Sequence, residues 1–197
     1  MVIRPGEAWG EVGVPPSGLA HARSETELAA LWQGGSGEAV LLDGSLRLAT
    51  GTNHGAPRVR ATVDAVVVVR HRGATAERHA MFGSMAVVVG PGPRGLRAIV
   101  TNSGFWRGRR IAPAAHPNDG LLDVLEVSTG MTCLQRAMAW RRSSRMDHLP
   151  HPSLRIHRGD AWTWNEGPCR LRVDGRRWQP ADRISCTIVP DAMVVWV

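Results

Sequence analysis

Ala98-Ile99-Val100-Thr101-Asn102-Ser103-Gly104 and then, after a basic loop through Arg107, Arg109 and Arg110, Ile111-Ala112-Pro113-Ala114-Ala115-His116-Pro117-Asn118-Asp119-Gly120-Leu121-Leu122-Asp123-Val124 form the stretch on which the fold turns. A short apolar strand ends at Thr101. Asn102-Ser103-Gly104 suits a tight turn, because Asn and Gly tolerate the backbone angles a turn needs. Asn118-Asp119-Gly120 is a second turn, and it leads straight into an apolar strand from Gly120 to Ser128. At Asp119 two readings stand. Its carboxylate can close an Asx turn on backbone amides, or it can hold a hard cation with neighbouring carbonyls as co-ligands.

On both sides of this stretch the pattern has period two. Val59, Ala61 and Val63 alternate with Arg58, Arg60 and Thr62, and Ala65 to Val69 follows as a buried strand. His79 to Val89 and Leu96 to Thr101 predict two more strands, with the turn at Pro91-Gly92-Pro93. Leu154, Ile156 and Arg158 share a strand face, and Ala161 to Trp164 is a short strand. Arg170-Leu171-Arg172-Val173, Asp174-Gly175 and Arg176-Arg177-Trp178 read as a hairpin. Ile184 to Val189 and Ala192 to Val197 are two strands separated by Pro190-Asp191.

Helices are few. Thr132 and Gln135 form a capping box for a helix to about Ser144, with Leu134, Ala137, Met138 and Arg141 on one face. Ser24 and Glu27 cap a shorter helix through Leu28, Leu31 and Trp32, and Gly34-Gly35 ends it. Residues 1–23 read as an extended arm, Ala39 to Leu42 as a strand and 43–56 as irregular. The fold expected is mainly β: an antiparallel β-sandwich with one inserted helix, preceded by a short α/β N-terminal segment. The expected division is an N-terminal arm, helix and linker over 1–56 and a sandwich over 57–197.

Composition narrows the chemistry. The chain has 197 residues, a net charge of +7 and 24 basic residues, every one an arginine. Without lysine or tyrosine there is no P-loop lysine, Schiff-base lysine or tyrosine acid. Cys133, Cys169 and Cys186 lie far apart and form no CxxC pair, so neither a zinc site nor a disulfide framework is expected. No apolar run approaches the length of about 20 residues that a membrane-spanning helix needs. Met1 to Gly6 lacks the apolar core of a secretory leader, so a cytoplasmic protein is expected, with peripheral membrane contact open to it. Arginines crowd residues 104–183, which points to an anionic partner. No nucleic-acid-binding motif accompanies them, so nucleic acid is not expected.

Ala112-Pro113-Ala114-Ala115 followed by Asp119-Gly120-Leu121-Leu122-Asp123-Val124, and later Val173-Asp174-Gly175, resembles the C-terminal domain of the diacylglycerol kinase-like lipid kinases. Leu48-Ala49-Thr50-Gly51-Thr52-Asn53 is similar to a worn copy of the segment that joins that family's two domains. The resemblance implies a structural magnesium at Asp119 with the carbonyls of His116 and Leu121. It implies that Arg107, Arg109 and Arg110 lie in the loop facing the cleft, where they could hold a lipid phosphate.

Two departures qualify what is implied. The family's Gly-Gly-Asp-Gly-Thr nucleotide loop is missing, so ATP binding is not expected. Arg176 stands where the family carries a catalytic carboxylate after Asp-Gly. A guanidinium cannot accept a proton from a hydroxyl, though it can bind phosphate. No catalytic residue is therefore assigned. Asp174 is the nearest carboxylate, either a hairpin-turn residue or a substitute base. The expected protein binds a lipid or other anionic amphiphile, or regulates a protein partner, without transferring phosphate alone. The alternative is an ATP-dependent lipid kinase whose nucleotide site comes from another chain or from the degenerate 40–56 segment. A third reading is an interaction protein whose basic face docks an acidic partner.

Overall fold

The computed structural model describes residues 9–51, 58–90 and 93–197. Thr52 and Asn53 of the linker motif, and Pro91 and Gly92 of the expected turn, lie outside them. In chain order the strands and helices are β1 (Glu11–Gly13), β2 (His21–Ala22), α1 (Glu25–Gln33), β3 (Glu38–Leu41), α2 (Ser45–Thr50), β4 (Arg58–Arg72), β5 (Thr75–Met81), β6 (Ser84–Val88) and β7 (Leu96–Thr101). Then follow β8 (Phe105–Trp106), β9 (Arg109–Arg110), β10 (Leu122–Val127), α3 (Cys133–Ser143), β11 (Leu154–Gly159), β12 (Ala161–Trp164), β13 (Cys169–Val173), β14 (Arg176–Ala181) and β15 (Arg183–Trp196).

Two sheets face each other. The first runs β1-β4-β15-β3-β2, with β5 also paired to β4 and β12 to β15. The second runs β11-β10-β7-β6-β13-β14 and is antiparallel throughout. Only β3, at its pairings with β2 and β15, brings parallel neighbours. The mainly β, antiparallel sandwich expected from the sequence is thus the fold, and the N-terminal segment adds its strands to the first sheet. No helix among the described residues is long and apolar enough to cross a membrane.

Alternation builds the core. Val66 and Val68 of β4 and Ile184 and Cys186 of β15 meet Met85, Val87, Val100, Val124 and Leu171 from the other sheet, all buried. The alternate residues Val63 and Ala65 face the opposite way and pack with Leu28 and Ala29 of α1 and Met193 and Val195 of β15. Trp164 joins the inter-sheet core, so the Trp162–Trp164 face is packing.

Several expectations need correction. The strand expected over 79–89 breaks at Phe82-Gly83, and its halves, β5 and β6, belong to different sheets. The strands expected at 184–189 and 192–197 are one strand, β15, with a bulge between Val189 and Met193. Asp64 pins that bulge: its buried carboxylate accepts from the Asp191 N–H (2.8 Å) and, 56 residues away, from the Gly120 N–H (2.8 Å). Residues 45–50, expected to be irregular, form α2, closed by Gly51 at φ 71°.

The capping box of α3 is present, with both reciprocal bonds. Its expected apolar face, however, points outward. Leu134 is 71% and Met138 47% exposed, while Ala139 and Ser143 are buried. Arg136 turns the helix this way, because its guanidinium binds the carbonyls of Met131 (3.0 Å), Leu96 (2.9 Å) and Ser128 (3.0 Å). Trp140, next to the buried Ala139, packs edge-on against Trp106 of β8, which pairs with β9 in a separate two-stranded sheet.

Candidate functional site

Asp119 sits in the turn that the sequence singles out. One oxygen accepts the Leu121 N–H (3.0 Å), the Asx-turn bond, and the other receives the Arg158 guanidinium. Arg158 also donates to the Ala114 carbonyl (3.0 Å), and its Nε lies 3.5 Å from Asp123. Asp123 faces Arg158 across the β10–β11 pair and is fully buried. Burial pushes its carboxyl up to about 6 against the opposing pull of Arg158. Burial likewise raises Asp119 and Asp64 above the usual carboxylate range. His116 stacks edge-on with Trp9, its Nδ1 accepts the Asn118 N–H (3.2 Å), and burial lowers its pKa.

The magnesium that the resemblance implies at Asp119, His116 and Leu121 does not fit this arrangement. Asp119 is the one side-chain oxygen ligand in that set, and both of its oxygens already have donors. A guanidinium occupies the place of positive charge beside it. No group of three or more His, Cys, Asp or Glu able to hold a metal occurs among the described residues.

The four arginines expected at a headgroup divide. Arg107 lies over Trp106 and lines the cavity described below. Arg109 stacks on Trp140 and donates to its carbonyl (2.7 Å), which ties the β8–β9 hairpin to the end of α3. Arg110 lies over Phe105. Arg176 is exposed at the start of β14 and lines no part of the cavity. His148, which lines the cavity described below, is 3% exposed with Nε2 2.9 Å from the Ile111 carbonyl.

Between the outer face of the second sheet and α3 lies a cavity of about 800 Å³. Its floor is apolar: Val88, Ile99, Leu125 and Val127, with Met131, Ala139 and Trp140 above. One cross-strand row runs Arg177–Arg172–Ala86–Ile99–Leu125–Ile156, from β14 to β11. Arg107, Arg136, Arg170, Arg172 and Arg177 also line the cavity, and among the described residues no carboxylate does. Arg170, Arg172 and Arg177 were not singled out in the sequence. Their signal was the alternation of β13, which puts Arg170 and Arg172 on one face.

A second polar cluster lies where the N-terminal segment meets the β13–β14 turn. Glu25 accepts from the Ser45 hydroxyl (2.8 Å) and the Leu46 N–H (3.1 Å). Ser103 donates to Ser45 (3.0 Å). Asp174, at φ 46°, accepts the Ser84 N–H (2.9 Å) with one oxygen, and its other oxygen is buried without a partner. Burial first, and then the charge of Glu25, push the Asp174 carboxyl up to about 7. Gly83 makes the close approach possible, since a Cβ there would stand 2.6 Å from Asp174 Oδ1. The cluster presents paired buried carboxylates, yet none of its residues lines the cavity.

Residues 84–197 match the family model of the YegS C-terminal NAD kinase beta sandwich-like domain. Two crystal structures of a candidate diacylglycerol kinase from Bacillus anthracis str. Sterne share the fold. Each aligns over 80% of this chain at 8% identity with a TM-score of 0.56, and the alignments cover 68% and 67% of those chains. Identity this low speaks for the fold alone. No curated protein matches the sequence.

Proposed function

Since the chain belongs to the YegS C-terminal NAD kinase beta sandwich-like family, the lipid kinase-like C-terminal domain that its motifs resemble, we propose that it binds a lipid or other anionic amphiphile and does not transfer phosphate by itself. One observation carries the reading: a cavity of about 800 Å³ with an apolar floor and arginines at its rim. That volume lies within the usual ligand-pocket range of roughly 300–1,000 Å³. Apolar walls take a hydrocarbon tail, and guanidiniums take an anionic head. The absence of phosphoryl transfer rests on the residues. Arg176 replaces the family's carboxylate, and Asp174 is buried away from the cavity.

The test uses the full chain purified from cells. Solvent extraction and mass spectrometry are expected to find a bound amphiphile. Val88→Trp fills the cavity from the outer face of β6 without entering the inter-sheet core, and it is expected to lower lipid occupancy at least about fivefold, with circular dichroism unchanged. Lipid-free wild-type protein that also ignores a fluorescent fatty-acyl probe overturns the binding reading. Transfer of label from ATP to a mixed lipid extract in the presence of magnesium overturns the second half, and favours the kinase alternative.

A further inference from the structure

We infer that the β13–β14 end of the cavity is a site for a phosphomonoester headgroup, formed by Arg172 and Arg177 with Arg170 beside them. The inference rests on the amphiphile reading and adds the chemical class of the head.

The two-residue turn sets the geometry. Asp174 and Gly175 both have positive φ, 46° and 80°, the signature of a tight hairpin turn. That turn fixes the register Val173↔Arg176 and Arg172↔Arg177, so two arginines stand directly opposite each other across the pair. Like charges so placed destabilise a sheet. Neither side chain makes a hydrogen bond or an ion pair among the described residues, and no carboxylate lines the cavity around them. Three arginines elsewhere do meet a carboxylate: Arg60 with Glu38, Arg70 with Glu77, Arg158 with Asp119. Arg170, two residues along the same face, binds the Gly90 carbonyl, which holds its charge at the cavity edge.

Charge counting selects the ligand. Two planar forks supply two positive charges and a set of parallel donors, the complement of a phosphomonoester dianion. A carboxylate or a phosphodiester brings one charge and leaves one arginine uncompensated. A neutral glycerol head brings none. Arg172 is half-buried while Arg177 and Arg170 are exposed, so water screens the interaction least at Arg172. From Arg172 the row continues over Ala86 and Ile99 to Leu125. Three strand spacings make roughly 14 Å of apolar floor for the tail. The geometry thus favours a lipid that already carries its phosphate over a neutral lipid.

The experiment is a titration of the full chain at pH 7.5, followed by tryptophan fluorescence below micelle concentrations. The probes are 1-oleoyl lysophosphatidic acid, lysophosphatidylglycerol, oleate, monooleoylglycerol and inorganic phosphate. Lysophosphatidic acid is expected to bind at least about tenfold more tightly than monooleoylglycerol. That gap is expected to narrow towards pH 5, because the second phosphate ionisation lies near 6. R172Q/R177Q is expected to abolish the gap and to melt higher than wild type once the two cross-strand charges are gone. Equal affinity for the phosphorylated and neutral lipids, or a gap that survives in R172Q/R177Q, overturns the headgroup inference and leaves the amphiphile reading standing. Inorganic phosphate competing as well as the lysolipid overturns the amphiphile reading and keeps the phosphate site. Failure of every probe overturns both.

Discussion

Asp174→Asn is expected to melt several degrees above the wild-type protein at pH 8 and to match it near pH 4. In the folded chain the Asp174 carboxyl holds its proton up to about pH 7, against an ordinary value of 3.8. The unfolded chain releases that proton near pH 4. Between these values the folded state binds more protons than the unfolded one, so stability falls as pH rises from about 4 to about 7, and stays low above it. At 1.36 kcal/mol per pKa unit the cost approaches about 4 kcal/mol at most, and about 2–4 °C accompanies each kcal/mol in a chain of this size. Asn removes the charge and keeps what the site needs. Its side-chain oxygen can still accept the Ser84 N–H, and Asn is among the residues that tolerate a left-handed φ such as 46°. The measurement is a melting curve at each pH from 4 to 8 for both proteins. A variant that melts lower than wild type at pH 8, or keeps the wild-type slope, would show that Asp174 is ionised and compensated in the fold.

Arg158→Met is the opposite case, a loss. Arg158 is the counter-ion of both Asp119 and Asp123, and Asp123 has no hydrogen bond of its own. Removing one partner strands a buried carboxylate, which typically costs about 3–5 kcal/mol. The loss is expected to be greatest at pH 8 and to shrink as the pH falls towards 6, because without the pull of Arg158 the Asp123 carboxyl takes up its proton at a higher pH than in the wild type. Adding Asp123→Asn to Arg158→Met is expected to restore part of the stability, since it removes the stranded charge as well. The same melting assay tests the metal. Magnesium and a chelator are both expected to leave the wild-type transition in place, because the guanidinium supplies the positive charge. A chelator that lowers the wild-type midpoint by more than about 2 °C would return a cation to the Asp119 loop.

Much of this molecule was legible in the chain. Alternation marked most strands, because a sheet with one buried face must place apolar residues at period two. The Thr132–Gln135 box placed the start of α3 to the residue, because capping is local chemistry between residues three apart. Asp174-Gly175 fixed the hairpin and, with it, the pairing of Arg172 with Arg177. The Asp119 turn was legible as an Asx turn, but its partner Arg158 was not, since 39 residues of chain separate them.

What the linear order could not supply was set by distant contacts. The break at Phe82-Gly83 looks like continuous strand, and only the crossing between the two sheets divides it. β15 looks like two strands around Pro190-Asp191, yet Asp64, 127 residues away, accepts the Asp191 N–H and carries the strand through. α3 reads as burying Leu134 and Met138, while three carbonyls around Arg136 turn that face outward. Glu25 and Asp174 become neighbours only when the N-terminal segment closes on the sandwich, and only then does burial raise the acid. Local periods, caps and turns could be read along the chain, because they depend on residues a few positions apart. Which face is buried, which charges meet and where a cavity remains followed from the folded arrangement, because burial and pairing are properties of what the rest of the chain brings alongside.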